Sequence, residues 1–326
     1  MSLNGLVRAA GSLLLPFALG WVGIIPRLVL ITLFRLLSYI PLVGLQRIGE
    51  LLGRVVYAVA PSYRRHLVEN LVQAGGESAR PLATRVAGES GRGALELAFV
   101  WMRPQEEVLA RTRATGWDVV ETARREGKGI VFLTPHLGCF EVTAQLYANR
   151  PDAGAPLTVL YRPPRKAWLA PLIEGRRARG NLALAPASLS GVRLLSRALK
   201  RGEAIGMLPD QVPSRGEGVW APFFGRAAYT MTLPARLQRT TGAALLLAHG
   251  ERLPAGGGWV VHFSRVREPL ASDPVEAATQ INGALEALIR PNLAQYLWGY
   301  NRYKKPPNVE GPLEGPARDD GARDAP

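Results

Sequence analysis

His136 and Glu141 are the residues of this chain best placed for acid–base chemistry. They stand five positions apart in Thr134-Pro-His-Leu-Gly-Cys-Phe-Glu141. A neutral imidazole beside a carboxylate has a fixed tautomer and takes a proton from a hydroxyl, while the carboxylate steadies the imidazolium that forms. On one continuous helix that spacing would put the two side chains on different faces. A turn at Leu137-Gly138 lets them converge, and Gly138 gives the backbone freedom for it. Position alone leaves open a histidine that only packs at a strand end. Cys139 lies between the two, and its neighbours Gly138 and Phe140 do nothing to favour a thiolate, so packing is its expected role. A Cys139 thiolate enzyme stays as a rival reading. The spacing is not HExxH, and the other histidines (His66, His249 and His262) form no ligand cluster, so no metal and no cofactor are expected.

The elements that must position this pair can be read from periodicity. Gly129 to Thr134 is a short apolar, β-branched run after a Gly-Lys-Gly turn, the pattern of a buried strand. His136 follows its end, and Glu141 opens a helix over 141–149. Further strands are expected at 157–161, 204–208, 243–249 and 259–266, the last after the turn Ala255-Gly-Gly-Gly258. Helices are expected over 47–74, broken at Pro61, and over 78–112, broken near Arg103-Pro104. A C-terminal helix should run from Asp273 to Ile289, capped by Asp273, with Pro274 in its first turn and Pro291 past its end. Strands alternating with helices imply an α/β fold with a mixed, mostly parallel sheet flanked by helices. In such sheets, sites gather where strands end and helices begin.

From Ala10 to Gln46 the only charges are Arg27 and Arg35, and Ala10 to Pro26 carries none. A spanning helix needs about 20 apolar residues, so this zone holds one tilted span plus an interfacial helix. Its length and the lack of a clear small-residue cleavage site favour an anchor over a cleaved signal peptide, which stays as the alternative. Arg47, Arg54, Arg64 and Arg65 follow it and only Arg8 precedes it, which places the body in the cytoplasm. Forty Lys plus Arg against 26 Asp plus Glu gives a net charge of +14. That excess suits anionic membrane lipid or an acidic protein; with 7% aromatic residues and no recognisable nucleic-acid motif, no nucleic acid partner is expected. With Cys139 as the single cysteine, no intrachain disulfide forms.

His136 through Glu141 fits the H-x4-D/E signature of glycerolipid-type acyltransferases, and its form resembles the lipid A late acyltransferases, the lauroyl and myristoyl transferases of Gram-negative bacteria. Further blocks resemble that family in the same order: Pro61-Ser-Tyr-Arg-Arg-His-Leu-Val-Glu-Asn-Leu71, Val159-Leu-Tyr-Arg-Pro163, Leu208-Pro-Asp-Gln211, Phe223-Phe-Gly225 with Thr230, and Gln295-Tyr-Leu-Trp298 followed by Arg302-Tyr-Lys304. Two positions depart from the pattern. Tyr300 stands where a His is common, and Ala227 where a Pro is usual.

The resemblance implies a glycerolipid acyltransferase-like fold over 47–307, while hydropathy gives the expected anchor over 1–46 and a composition of Pro, Gly and charge the expected disordered tail over 308–326. The resemblance also implies a donor, acyl carrier protein, and an acceptor, the hydroxyl of a 3-hydroxyacyl chain on a lipid A precursor. His136 would be the base and Glu141 its support. Arg162 would steady an oxyanion or a lipid phosphate, with Asp210, Gln211, Thr230 and Arg302 as further substrate-binding candidates. The implied location is the bacterial inner membrane, with the catalytic body facing the cytoplasm. Arg162, Arg165, Lys166, Arg176, Arg177 and Arg179 form a basic segment that would steer acidic ligands. Another glycolipid or an ornithine-type lipid as acceptor, or a non-catalytic membrane tether, are the rival readings.

Overall fold

The structure is a computed structural model that describes residues 28–312 apart from 152, 153, 165, 167–169 and 268. The uncharged stretch Ala10–Pro26 and the tail from 313 onward lie outside the described residues. Among those described, no helix is long and apolar enough to cross a membrane. The first element is α1, helical over residues 28–38. It is followed by α2 (Leu42–Val59), α3 (Pro61–Gly75), α4 (Ala83–Met102) and α5 (Gln105–Ala110). Because α2 starts at Leu42, with Leu42, Leu45 and Gln46 buried, residues 42–46 belong to the body rather than to an anchor. Gly49 and Gly53 of α2 meet Gly91 and Ala87 of α4 so closely that an added Cβ would collide with backbone carbonyls, and this lets the two helices pack almost backbone to backbone.

A seven-stranded sheet follows, made of β1 (Thr112–Thr115), β2 (Ile130–Leu133), β3 (Leu157–Tyr161), β4 (Leu182–Pro186), β5 (Ala204–Met207), β8 (Ala244–Arg252) and β9 (Trp259–Arg265). Its order is β1-β9-β8-β2-β5-β3-β4. Strands β8, β2, β5, β3 and β4 run parallel, and the β8–β9 hairpin reverses β9 and β1. All five expected strands are present, and the sheet is mixed and mostly parallel as expected. β1, β4 and a separate hairpin of β6 (Gly218–Phe223) and β7 (Arg226–Met231) were not foreseen. The hairpin turns on Phe224 and Gly225, both at positive φ (49° and 76°), the two-residue geometry that matches strand twist. Phe224 tolerates it because its ring is buried, its N–H donates to Glu286 (2.6 Å) and its carbonyl accepts from Gln73 (2.7 Å).

Successive residues of a strand point to opposite faces. In β2, Val131 and Leu133 enter one apolar cluster, and Ile130 and Phe132 the other. The first cluster is closed by α3, α9 (Leu189–Lys200), α10 (Leu233–Thr241), α11 (Pro274–Ile289) and the β6–β7 hairpin. The second is closed by α2, the end of α4, α5, α6 (Trp117–Arg125) and α7 (Glu141–Asn149). One further helix, α8 (Ala170–Arg177), lies between β3 and β4. The cap on α11 is as expected, with Asp273 accepting from the N–H groups of Val275 and Glu276 (both 2.9 Å). At the C-terminus the body extends past 307, since Trp220 Nε1 donates to the Glu310 carbonyl (2.8 Å).

His249 of β8 stacks on His262 of β9 (centroids 4.7 Å apart) and is 6% exposed. Burial, reinforced by the His262 ring, pushes the His249 imidazole down to about 4. A histidine depressed in the folded state contributes stability that is fully present above its ordinary value near 6.5 and is lost as pH falls toward 4. That loss is about 3 kcal/mol for one group. Chemical unfolding at pH 7 and pH 4.5 should therefore show a stability drop that is smaller in His249→Leu; an unchanged drop in the variant contradicts this account.

Candidate active site

Leu133 of β2 pairs with Met207 of β5 in parallel register, so both chains leave the sheet at one edge. His136 and Asp210 each lie three residues beyond that pair and therefore meet. His136 Nδ1 is 2.8 Å from Asp210 Oδ1, and the His136 backbone N–H donates to Oδ2 (2.8 Å). Asp210 is 2% exposed. Burial opposes its ionisation, but the His136 imidazole and N–H, with the Tyr296 hydroxyl, outweigh that and hold the carboxyl below its ordinary range. An ionised Asp210 fixes the proton on Nδ1 and leaves Nε2 as the basic nitrogen. Gln211 Nε2 lies 3.1 Å from His136 Nε2, in reach to donate to it. The Phe140 ring meets His136 edge-on (4.9 Å).

The loop that carries His136 is tied down on both sides. Cys139 N–H donates to the Gly250 carbonyl (2.8 Å), Gly138 N–H to the Gln295 carbonyl (3.0 Å), and Leu297 N–H to the His136 carbonyl (3.1 Å). Gly138 takes φ +60°, and a Cβ there would lie 2.0 Å from the Gly250 oxygen, so the expected glycine turn is required by both conformation and space. Gln295 also brackets Arg252, accepting from its N–H (2.9 Å) and donating to its carbonyl (3.0 Å).

Glu141 is placed differently from expectation. It opens α7 and lines the same pocket as His136, but its carboxylate belongs to Arg177 and Trp101. Arg177 grips both oxygens (Nη2–Oε1 2.6 Å, Nε–Oε2 3.0 Å), and Trp101 Nε1 donates to Oε2 (3.3 Å). The carboxylate on the His136 ring is Asp210, whereas Glu141, the expected support of His136, is paired with Arg177 in this structure. The reason is strand order: β5 lies beside β2, and its trailing loop reaches Nδ1 directly.

His136, Glu141, Arg177, Gln211 and Arg162 share a pocket of about 320 Å³. Arg162 is exposed at its wall, and no carboxylate pairs with it among the described residues. A narrower apolar cavity of about 30 Å³, between the sheet and α7, is lined by Phe132, Tyr147, Leu157 and Val159 and shares Glu141 and Arg177 with the pocket. Thr230 and Arg302 do not line this pocket among the described residues. They are 0% and 3% exposed and bond each other (2.8 Å), with Arg302 also held by the Tyr229 carbonyl (2.7 Å). These bonds brace the C-terminal segment against β7. The basic segment divides as well. Lys166 is exposed, whereas Arg177 turns in to Glu141 and Arg179 to the carbonyls of Val100 and Arg103. Arg165 lies outside the described residues. Trp101 and Tyr296 escaped the sequence reading as site residues, although Tyr296 stands inside the Gln295-Tyr-Leu-Trp298 block.

The family model for bacterial lipid A biosynthesis acyltransferase matches residues 21–305. The chain belongs to this family. It is 26% identical over 224 residues to the lipid A biosynthesis palmitoleoyltransferase of Escherichia coli K12, covering 68% of this chain and 71% of that one. Against the lauroyltransferase of the same organism it is 25% identical over 265 residues, covering 80% and 84%, and against its myristoyltransferase 25% over 265 residues, covering 78% of each. The chain is thus an acyltransferase of lipid A type, and the pocket around His136 is its candidate active site.

Cys139 is 3% exposed, and burial pushes its thiol well above the ordinary range. A buried thiol held protonated is a poor nucleophile. Cys139→Ala should keep acyl-transfer activity within about twofold of the parent; loss of all turnover in a folded Cys139→Ala protein contradicts its packing role.

Proposed function

We propose that this protein moves a fatty acyl chain from the thioester of acyl carrier protein to the hydroxyl of a 3-hydroxyacyl chain on a lipid A precursor, with His136 as general base. The observation that carries the reading is His136 held by the buried Asp210 through Nδ1, with Nε2 directed to a pocket that holds two guanidinium groups. The acceptor hydroxyl takes the place of the Gln211 amide at Nε2 and gives up its proton. Its oxygen adds to the thioester carbonyl, the C–S bond breaks, and the thiolate leaves with the proton returned by the imidazolium. Arg177, oriented by Glu141 and Trp101, and Arg162 supply positive charge for the oxyanion that forms between these steps.

The reading places the protein on the cytoplasmic face of a bacterial inner membrane. Leu28, Val29, Leu33 and Leu36 of α1 are exposed, and so are Ile48, Leu51, Leu52, Val55, Val56 and Val59, spaced at helical intervals along α2. Arg35, Arg47 and Arg54 stand among them. An apolar stripe with interleaved arginines suits the interface of an anionic bilayer. Exposed Arg162 at the pocket wall, with exposed Lys166 four residues on in the chain, suits an acidic donor protein.

With acyl carrier protein as donor and a tetra- or pentaacylated acceptor, mass spectrometry should find no acylated product from His136→Ala. Asp210→Asn should lower kcat by about a hundredfold to ten-thousandfold. Parent-like turnover in His136→Ala contradicts the mechanism.

A further inference from the structure

We infer that Trp101 is a positioning residue for the Glu141–Arg177 pair, and that Phe34 of α1 holds Trp101 in place, so that the site is set only when α1 is seated. The inference rests on the acyl-transfer reading above.

Trp101 lies in the last turn of α4, is 9% exposed and lines the pocket with His136. Its Nε1–H donates to the same Glu141 oxygen that accepts from Arg177 Nε (3.3 and 3.0 Å). Arg177 bonds both oxygens of Glu141, so the indole N–H adds a third donor that fixes the ion pair as a unit in the pocket wall, and removing it leaves Oε2 with Arg177 Nε alone and lets the pair shift together. The indole is held in turn by Phe34, which stacks on it with centroids 5.9 Å apart and planes at 19°. Glu141, Trp101 and Phe34 thus form one line of contact from the pocket to the outermost described helix.

Other contacts of α1 reach the same part of the body. Phe34 and Leu37 face the body, Arg103 Nε donates to the Ser38 carbonyl (2.7 Å), and the Arg103 guanidinium lies over the Tyr39 ring (5.7 Å). These contacts converge on residues 99–103, whose carbonyls at Val100 and Arg103 also receive Arg179. The opposite face of α1 is apolar and exposed, with Leu28, Leu33 and Leu36 between 48% and 61% exposed. A helix of about this length does not sustain itself in water, so its seating depends on cover for both faces. Cover on the outer face therefore favours the position of Phe34 that clamps Trp101, and through it Glu141 and Arg177. The clamp acts on how the transition state is met rather than on how ligands are gathered, so kcat is the parameter that should respond.

Two substitutions separate the links. Trp101→Phe keeps an aromatic ring against Phe34 but removes the N–H. Phe34→Leu keeps apolar volume, and with it the fold, but removes the stack. Each is expected to lower kcat about tenfold, with KM for donor and acceptor within about twofold of the parent. Because both act through one line of contact, the double variant Phe34→Leu/Trp101→Phe should be close to tenfold down rather than a hundredfold. Thermal unfolding midpoints near that of the parent would confirm that the folded fraction is unchanged. The inference is overturned by parent-like kcat in either single variant, by effects that multiply in the double variant, or by effects confined to KM. If that happens while His136→Ala is inactive, the acyl-transfer reading stands without the clamp. Parent-like transfer in His136→Ala removes the reading itself.

Discussion

The parallel pairing of β2 with β5 is the constraint on which the site depends. With Leu133 opposite Met207, the loops that leave these two central strands emerge side by side at one edge of the sheet. The Asp210 carboxylate then bonds both the ring and the backbone N–H of His136. A carboxylate this deeply buried is costly unless it is well paired. Its partners are His136 and Tyr296, so the energetic need of Asp210 and the orientation of His136 are met by the same bonds. Slipping the register by one residue would break both.

A second set of buried charges holds the surrounding walls. Arg252 at the end of β8 is 2% exposed and grips Glu96 with two bonds (2.7 and 2.8 Å) and Glu89 with one (2.8 Å). Gln46 of α2 donates to the same Glu96 (2.7 Å). A buried pair of this kind need not raise stability over an apolar replacement, but losing one partner costs about 3–5 kcal/mol. Here it fixes α2 and α4 against β8, and the Gln295 clamp on the Arg252 backbone extends that rigidity to Gly138 in the His136 loop. Active-site precision thus comes from polar contacts beneath the loop as well as from the apolar clusters on either face of the sheet.

Much of this fold is legible in the chain because its signals are local. The apolar run of β2, the Asp273-Pro274 start of α11 and the break at Pro61 each depend on neighbouring residues. β1 and β4 escape because Thr-Arg-Ala-Thr and Leu-Ala-Leu-Ala-Pro are short edge strands without alternation or a β-branched run. The β6–β7 hairpin escapes because its positive-φ turn begins with Phe224, where Asn or Gly is the usual signal. The site is less legible for a different reason. His136, Glu141, Asp210 and Gln211 can all be picked out, yet which carboxylate meets the imidazole is decided by strand order, a non-local property. Direction of burial is equally hidden. Thr230 and Arg302 carry the residue types of a binding site but face inward, and Arg177 sits in a basic run yet turns toward Glu141. Trp101 gives no signal beyond an aromatic residue near a helix end.

Glu141 and Asp210 therefore divide the work that one carboxylate seemed to carry. Asp210 governs the proton on His136, and Glu141 governs the Arg177 guanidinium. The most direct test of this division is the tautomer of His136, read from 15N chemical shifts of protein labelled at its four histidines. The account predicts a neutral-pH imidazole with hydrogen on Nδ1 and none on Nε2, a state disturbed in Asp210→Asn and retained in Glu141→Gln. A hydrogen on Nε2 in the parent protein, or a tautomer that responds to Glu141→Gln and ignores Asp210→Asn, would contradict it.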